Sequence, residues 1–121
     1  MVMIGVWFAL IFYKKSFYSG ISRFNPNQFF NLSRLTHLDV SYNSIITLPA
    51  LPDSLQVLNV SHNSLISLDF AQPLLRLRAL HAQFNRLETI PKTIVEFTQL
   101  QSIKLNDNKI FQMPNLQMVS L

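Results

Sequence analysis

The sequence contains no cysteine. A disulfide framework, a thiolate nucleophile and a cysteine-ligated zinc site are excluded together. Glycine is nearly as scarce, with 2 residues in 121. Loops that cradle phosphate need glycine wherever backbone approaches the ligand closely, so nucleotide-binding loops of that kind lack their material. Charge is sparse as well, at 13% of residues. The six acids are scattered along the chain, which leaves no paired carboxylates for general acid–base work. The net charge is +4, yet the ten basic residues spread from Lys14 to Lys109 with no run denser than Lys14-Lys15. That scatter fits ordinary solubility and not a phosphate-binding surface, so no nucleic-acid partner is expected.

A long apolar run is missing too. Met1 to Tyr13 is almost wholly apolar, but these thirteen residues fall short of the roughly 20 that cross a bilayer as a helix. A secretory signal carries basic residues before its apolar run, whereas Lys14-Lys15 follow this one. Residues 1–20 are expected to be a cap, a degenerate repeat, or a signal or anchor. Any membrane contact would run through residues 1–13.

What the chain has in abundance is apolar material, 49% of its residues, enough for the core of one domain. Its spacing is periodic. Leu35, Leu38, Val40, Asn43 and Ile45 recur as Leu55, Leu58, Val60, Asn63 and Leu65. They recur again as Leu77, Leu80, Ala82, Asn85 and Leu87, and as Leu100, Ile103, Leu105, Asn108 and Ile110. All four segments follow L-x-x-L-x-L-x-x-N-x-L, with Ala82 the weakest match. The asparagines stand 20, 22 and 23 residues apart. Self-similarity at such a period marks a repeat architecture.

Leu38 and Val40 are two apart and point to one face of a short strand. Leu35 and Ile45 fall where the chain enters and leaves it. One coil cannot bury all four, so coils must stack, and the stack makes the core. Each asparagine sits where the chain bends away from the strand. Asn tolerates turn geometry, and its amide both donates and accepts.

The stretch from Ile21 to Leu121 resembles a leucine-rich-repeat protein. Leu87 to Leu100, with Ile90-Pro91, Ile94 and Phe97, is similar to the intracellular Ras-scaffold type of repeat. Ile45 to Pro52, with Leu48-Pro49, resembles the shorter repeats of bacterial effectors. The resemblance implies an α/β fold, a right-handed solenoid. Its short parallel sheet would line the concave face, and its convex side would be mostly irregular or short-helical. It implies that Asn43, Asn63, Asn85 and Asn108 form an inward structural ladder bonded to neighbouring coils. The expected organisation is residues 1–20 as the apolar segment and 21–121 as the solenoid, with four clear repeats and a truncated fifth.

The ends are less regular. Ile21, Phe24, Phe29 and Leu32 suit a degenerate coil before the first clear one, with Ser19 where Asn belongs. Leu116, Val119 and Leu121 begin a fifth strand. A solenoid needs polar caps, so self-association through an uncapped C-terminal end is expected.

Family members mostly bind partners on the concave face. Four outward columns follow from the repeat. They are Tyr42, His62, Phe84 and Asp107; Asp39, Asn59, His81 and Lys104; Ser41, Ser61, Gln83 and Asn106; and His37, Val57, Ala79 and Ser102. The first two columns are the candidate partner-binding residues. Tyr42, His62 and Phe84 place rings in a row, and aromatics are favoured interface anchors. Exposed rings that merely cover one another are the plainer reading.

Metal binding is not expected. His62 and His81 lie three positions apart along neighbouring strands, roughly 10 Å by strand rise, too far to converge on one ion. Ser61, His81 and Asp39 compose a catalytic set on paper, but no strained elbow or glycine-built oxyanion site accompanies them. The glycosylation triplets at Asn31 and Asn59 are short and read as incidental. No cofactor and no enzyme activity are expected. The function expected is a cytoplasmic interaction module that binds a protein partner. The alternatives are the repeat region of a membrane-anchored receptor, hence membrane-associated, or the regulatory arm of a larger signalling enzyme. The absence of cysteine tilts the choice towards the cytoplasm, since extracellular repeat domains commonly cap their ends with disulfides.

Overall fold

A computed structural model describes residues 29–112 and the backbone of Lys14–Ser16. Five strands form one parallel sheet in chain order: β1 (Lys14–Ser16), β2 (His37–Asp39), β3 (Val57–Asn59), β4 (Ala79–His81) and β5 (Ser102–Lys104). Parallel neighbours cannot be joined by a hairpin. Each strand is therefore followed by a return segment, and strand plus return is one coil. The register repeats without slip, so that Leu38, Leu58, Leu80 and Ile103 pair in one line. Residues on either side of that line alternate with it, which gives β2, β3 and β4 the same half-buried, buried, half-buried pattern.

The core is the stack of those inward columns. Leu35, Leu55 and Leu77 are fully buried at strand entry, and Ile45, Leu65 and Leu87 at the exit. Burial of each such side chain contributes roughly 1.5–3 kcal/mol. Phe29 and Leu32 close the core ahead of β2. Ser54 serves the strand entrance: its hydroxyl donates to the carbonyls of Leu35 (2.5 Å) and Leu32 (3.3 Å), one coil back.

Coil length decides the convex side. After β2 the return through Leu48 and Leu51 contains no helix. The longer return after β4 holds a 3-10 helix, Lys92–Glu96, which starts behind Pro91 and buries Ile94. A 3-10 turn advances about 2 Å per residue against roughly 3.3 Å for extended chain, so more residues cover the same path. Phe97 leaves this helix buried and meets Phe70 edge to face, ring centroids 5.0 Å apart. That helix is the whole helical content among the described residues.

β1 lies inside the segment expected as cap, degenerate repeat or anchor, and it pairs with β2 through Lys15↔Leu38. The register thus assigns a lysine to the column that is leucine or isoleucine in the later coils. Ser19, Ile21 and Phe24, and the expected fifth strand from Leu116 to Leu121, fall outside the described residues. At the other end of the sheet the burial thins. Leu80, Ala82 and Leu87 are buried, whereas Ile103, Leu105 and Ile110 in the next coil are only partly so.

Candidate functional site

Past each strand the parallel bonding continues for one more pair of amides. Val40, Val60 and Ala82 donate to the carbonyls of Asn59, His81 and Lys104 at 2.8–2.9 Å. Tyr42, His62 and Phe84 then donate to Ser61, Gln83 and Asn106 at 3.0–3.2 Å. The chain turns here, and the turn is left-handed. Tyr42, His62, Phe84 and Asp107 have φ of 56°, 54°, 56° and 58°. These four candidate residues are therefore not strand residues, as their column suggested, but the turn residue at the strand's end. A non-glycine side chain in that region carries of order 1–3 kcal/mol of strain unless its surroundings fix it.

The next residue does the fixing. Asn63 Nδ2 lies 3.0–3.1 Å from the carbonyls of Val40, Val60 and Ser61, and its Oδ1 accepts from Ile45 N at 3.0 Å. Asn85 repeats this with the carbonyls of Val60 and Ala82 and with Leu65 N. Asn108 does so with those of Ala82 and Leu105 and with Leu87 N. Each of these amides bonds its own coil to the preceding one. Asn43 Nδ2 donates to Val40 and Ser41 of its own coil.

The turn geometry throws the preceding side chain outwards. Tyr42 and His62 stack with centroids 4.1 Å apart and planes 11° apart, and His62 stacks on Phe84 at 4.4 Å and 13°. The outer two rings remain open to solvent, Tyr42 at 62% and Phe84 at 45%. Asp107 continues the column without a ring and accepts from Asn106 Nδ2 at 2.7 Å.

The Ser41, Ser61, Gln83, Asn106 column departs from expectation. Ser41 and Ser61 are buried, not presented outwards. Asp39 Oδ1 accepts from Ser41 N (2.9 Å) and Ser41 Oγ (2.6 Å). Asn59 Oδ1 accepts from Ser61 N (3.0 Å) and Ser61 Oγ (2.7 Å). Asp39 and Asn59, read as partner-binding, thus each use one side-chain oxygen to close a turn in their own coil. Ser61, the nucleophile of the paper set, points into that turn and not towards His81. Sequence reading missed these turns, although Asp/Asn-x-Ser recurring in two coils, against His81-x-Gln83 and Lys104-x-Asn106 in the others, is the signal for them.

His81 lies in register between Asn59 and Lys104. Burial holds its pKa below 6.5; Lys104 adds to the shift and Asp39 opposes it. Among the described residues no cluster of three His, Asp or Glu is arranged for a metal ion. His37 shares a 2.9 Å hydrogen bond with Thr36 Oγ1 through Nδ1. Away from the strands, an open groove of about 630 Å³ runs past Phe30, Asp53, Gln72 and Arg76, with Gln72 donating to Asp53. Sequence reading did not anticipate it.

Stacked coils, inward asparagines and a sheet of one-column strands define a leucine-rich-repeat solenoid, and the chain belongs to that family. The Leucine Rich Repeat family model matches residues 34–53 and 54–73. Toll-like receptor 9 of Sus scrofa is 34% identical over 100 residues, covering 74% of this chain and 10% of the receptor. Adenylate cyclase of Schizosaccharomyces pombe is 35% identical over 98 residues, covering 77% of this chain and 6% of the cyclase. Among solved structures, YopM from Yersinia enterocolitica WA-314 superposes with a TM-score of 0.60 at 30% identity over 80% of this chain and 19% of YopM. A leucine-rich-repeat protein of Leptospira interrogans gives 0.60 at 28% identity, covering 69% and 22%. The chain thus spans a tenth or less of the two curated relatives. The fold is one that generally mediates protein–protein interaction.

Proposed function

We propose that the chain is a non-catalytic interaction module that seats a protein partner on its concave face, with the Tyr42–His62–Phe84 stack as the apolar anchor and the Asp39, Asn59, His81, Lys104 column beside it. One observation carries this reading. Three successive coils keep a ring in a left-handed turn, the outer two of them exposed, where glycine would relieve the strain. Rigid aromatics that are already ordered lose little freedom on binding, which is why they anchor interfaces.

The test is capture of protein partners by the full chain, compared with the Tyr42→Ala/Phe84→Ala double variant. A partner held through the stack should bind at least about 10-fold more weakly to the variant, as expected for loss of hot-spot residues, while the variant still melts cooperatively, its melting temperature lowered only by the loss of the two ring stacks. Equal capture by both proteins would remove the stack from the interface.

The relatives favour a second reading: the chain as the repeat region of a membrane-anchored receptor or the regulatory arm of a larger signalling enzyme. Their names fall in those two classes, and the match occupies a small part of each. Among the described residues no helix is long and apolar enough to cross a membrane. The location we favour is cytoplasmic, with membrane association through residues 1–13 as the alternative; membrane fractionation of a tagged chain separates the two. The pairing of β1 favours a degenerate repeat within residues 1–20, ahead of the solenoid of residues 21–121. The partly covered coil after β4 favours self-association at that end. Light scattering at rising concentration should then report growth in mass, and a monomer throughout would refute it.

A further inference from the structure

The two halves of the concave face differ in what they keep for themselves. In the coils of β2 and β3, the Asx oxygen closes its own turn against serine. In the coil of β4 the same places hold His81 and Gln83. Gln83 Oε1 is buried and accepts no hydrogen bond. A buried acceptor left unmet is unfavourable, and native chains carry few of them. This amide oxygen has no internal hydrogen bond to give up when it turns outwards to meet a donor. His81 stands two residues before it, Lys104 pairs with His81 and is exposed, and the open Phe84 ring follows it.

From residue 29 onward, charge divides at the same place. Residues 29–75 carry Arg34 against Asp39, Asp53 and Asp69. Residues 76–112 carry six cations against Glu88, Glu96 and Asp107. Just past the asparagines, Ser44 and Ser64 in the earlier coils give way to Arg86 and Lys109, both exposed. Arg76 lines the groove and Lys92 lies on the 3-10 helix, so on the face itself Lys104 is the strand cation of this half, with Asp107 at the turn beyond it, and Lys104 is what an acidic partner would meet.

We infer that the coils of β4 and β5 are the specificity half of the face, and that they take an extended acidic protein segment which donates an N–H to Gln83 Oε1 and sets a carboxylate against Lys104. This rests on the concave-face reading above and adds the chemistry of the partner to it.

The test uses the full chain and three fluorescent peptides of about eight residues, long enough at roughly 3.3 Å per residue to cross the strands. All share one leucine and one phenylalanine; the other residues are glutamate, lysine or serine. Anisotropy at low and high salt should show the glutamate peptide bound most tightly, and more weakly as salt rises. Lys104→Glu should weaken it about 10-fold or more, as loss of a charge pair plus added repulsion implies. Gln83→Leu should weaken it severalfold while raising the melting temperature, because the orphan acceptor is gone. A structural role for Gln83 would instead lower both together, and that result overturns the inference. Tightest binding of the lysine or serine peptide, or indifference to Lys104→Glu, overturns it too. If the serine peptide then binds and is lost with Phe84→Ala, the concave-face reading survives alone. If no peptide binds, the acidic-segment inference falls, and partner capture decides the broader reading separately.

Discussion

Two columns one residue apart in the chain behave oppositely. Asn43, Asn63, Asn85 and Asn108 are the same residue in every clear coil and point inwards. Tyr42, His62, Phe84 and Asp107 differ in every coil and point outwards from identical backbone. The left-handed turn separates them. It aims the asparagine amide at the carbonyls of its own strand end, and the amides of Asn63, Asn85 and Asn108 also reach those of the previous coil. It leaves the preceding side chain with no internal duty. Geometry therefore dictates the first column and only tolerates the second, so any chemistry in the second is there for another reason.

The contrast should appear most strongly as stability. Leu58 is fully buried in the inward line. Leu58→Ala should lower unfolding free energy by about 2–5 kcal/mol, the usual cost of a core cavity, read as a lower denaturant midpoint. Asn63→Ala comes next, at about 1–3 kcal/mol, because it strands Ile45 N and the carbonyls that Asn63 serves. An unchanged midpoint would refute the ladder as a structural device. In the outward column the sign reverses. Asp107→Gly should stabilise by up to about 1 kcal/mol by releasing the left-handed strain. Phe84→Gly should gain the same relief but lose its stack on His62, about 0.5–1.5 kcal/mol, and so end near neutral. If both glycine variants destabilise equally, the turn is not strained and the rings are plain packing.

The interior was legible from sequence because one coil constrains the next. A leucine at Leu58 demands leucines at Leu38 and Leu80, and the recurrence displays the demand. The ring column was legible only through its fixed place one residue before each asparagine, and its stacking follows from the strand spacing. The left-handed turn was not, since tyrosine, histidine and phenylalanine carry no local mark of positive φ. The closed turns at Asp39 and Asn59 escaped for a different reason. Aspartate and asparagine on a strand look available, and only the hydroxyl of the second residue on reveals that their oxygens are engaged. Gln83 was hidden because an unmet acceptor is a property of surroundings and not of residue type.

The smallest expected effect sharpens the comparison within the concave face itself. His81 is neutral more readily in the folded chain than in the unfolded one, first because burial disfavours its cation and second because Lys104 repels it, with Asp39 opposing. Its folded pKa lies below 6.5, so in the interval between the two values the unfolded chain binds a proton that the folded chain does not. Stability from His81 is therefore complete above the unfolded value and is lost as pH falls towards the folded one. Denaturant midpoints from about pH 7 to about pH 5 should fall more steeply for the parent than for His81→Gln, which does not titrate there. Lys104→Met should soften the slope without abolishing it, since burial, the larger cause, remains. A slope identical in the parent and His81→Gln would mean that this imidazole is solvated like the unfolded one, and that the centre of the face is wetter than its burial implies.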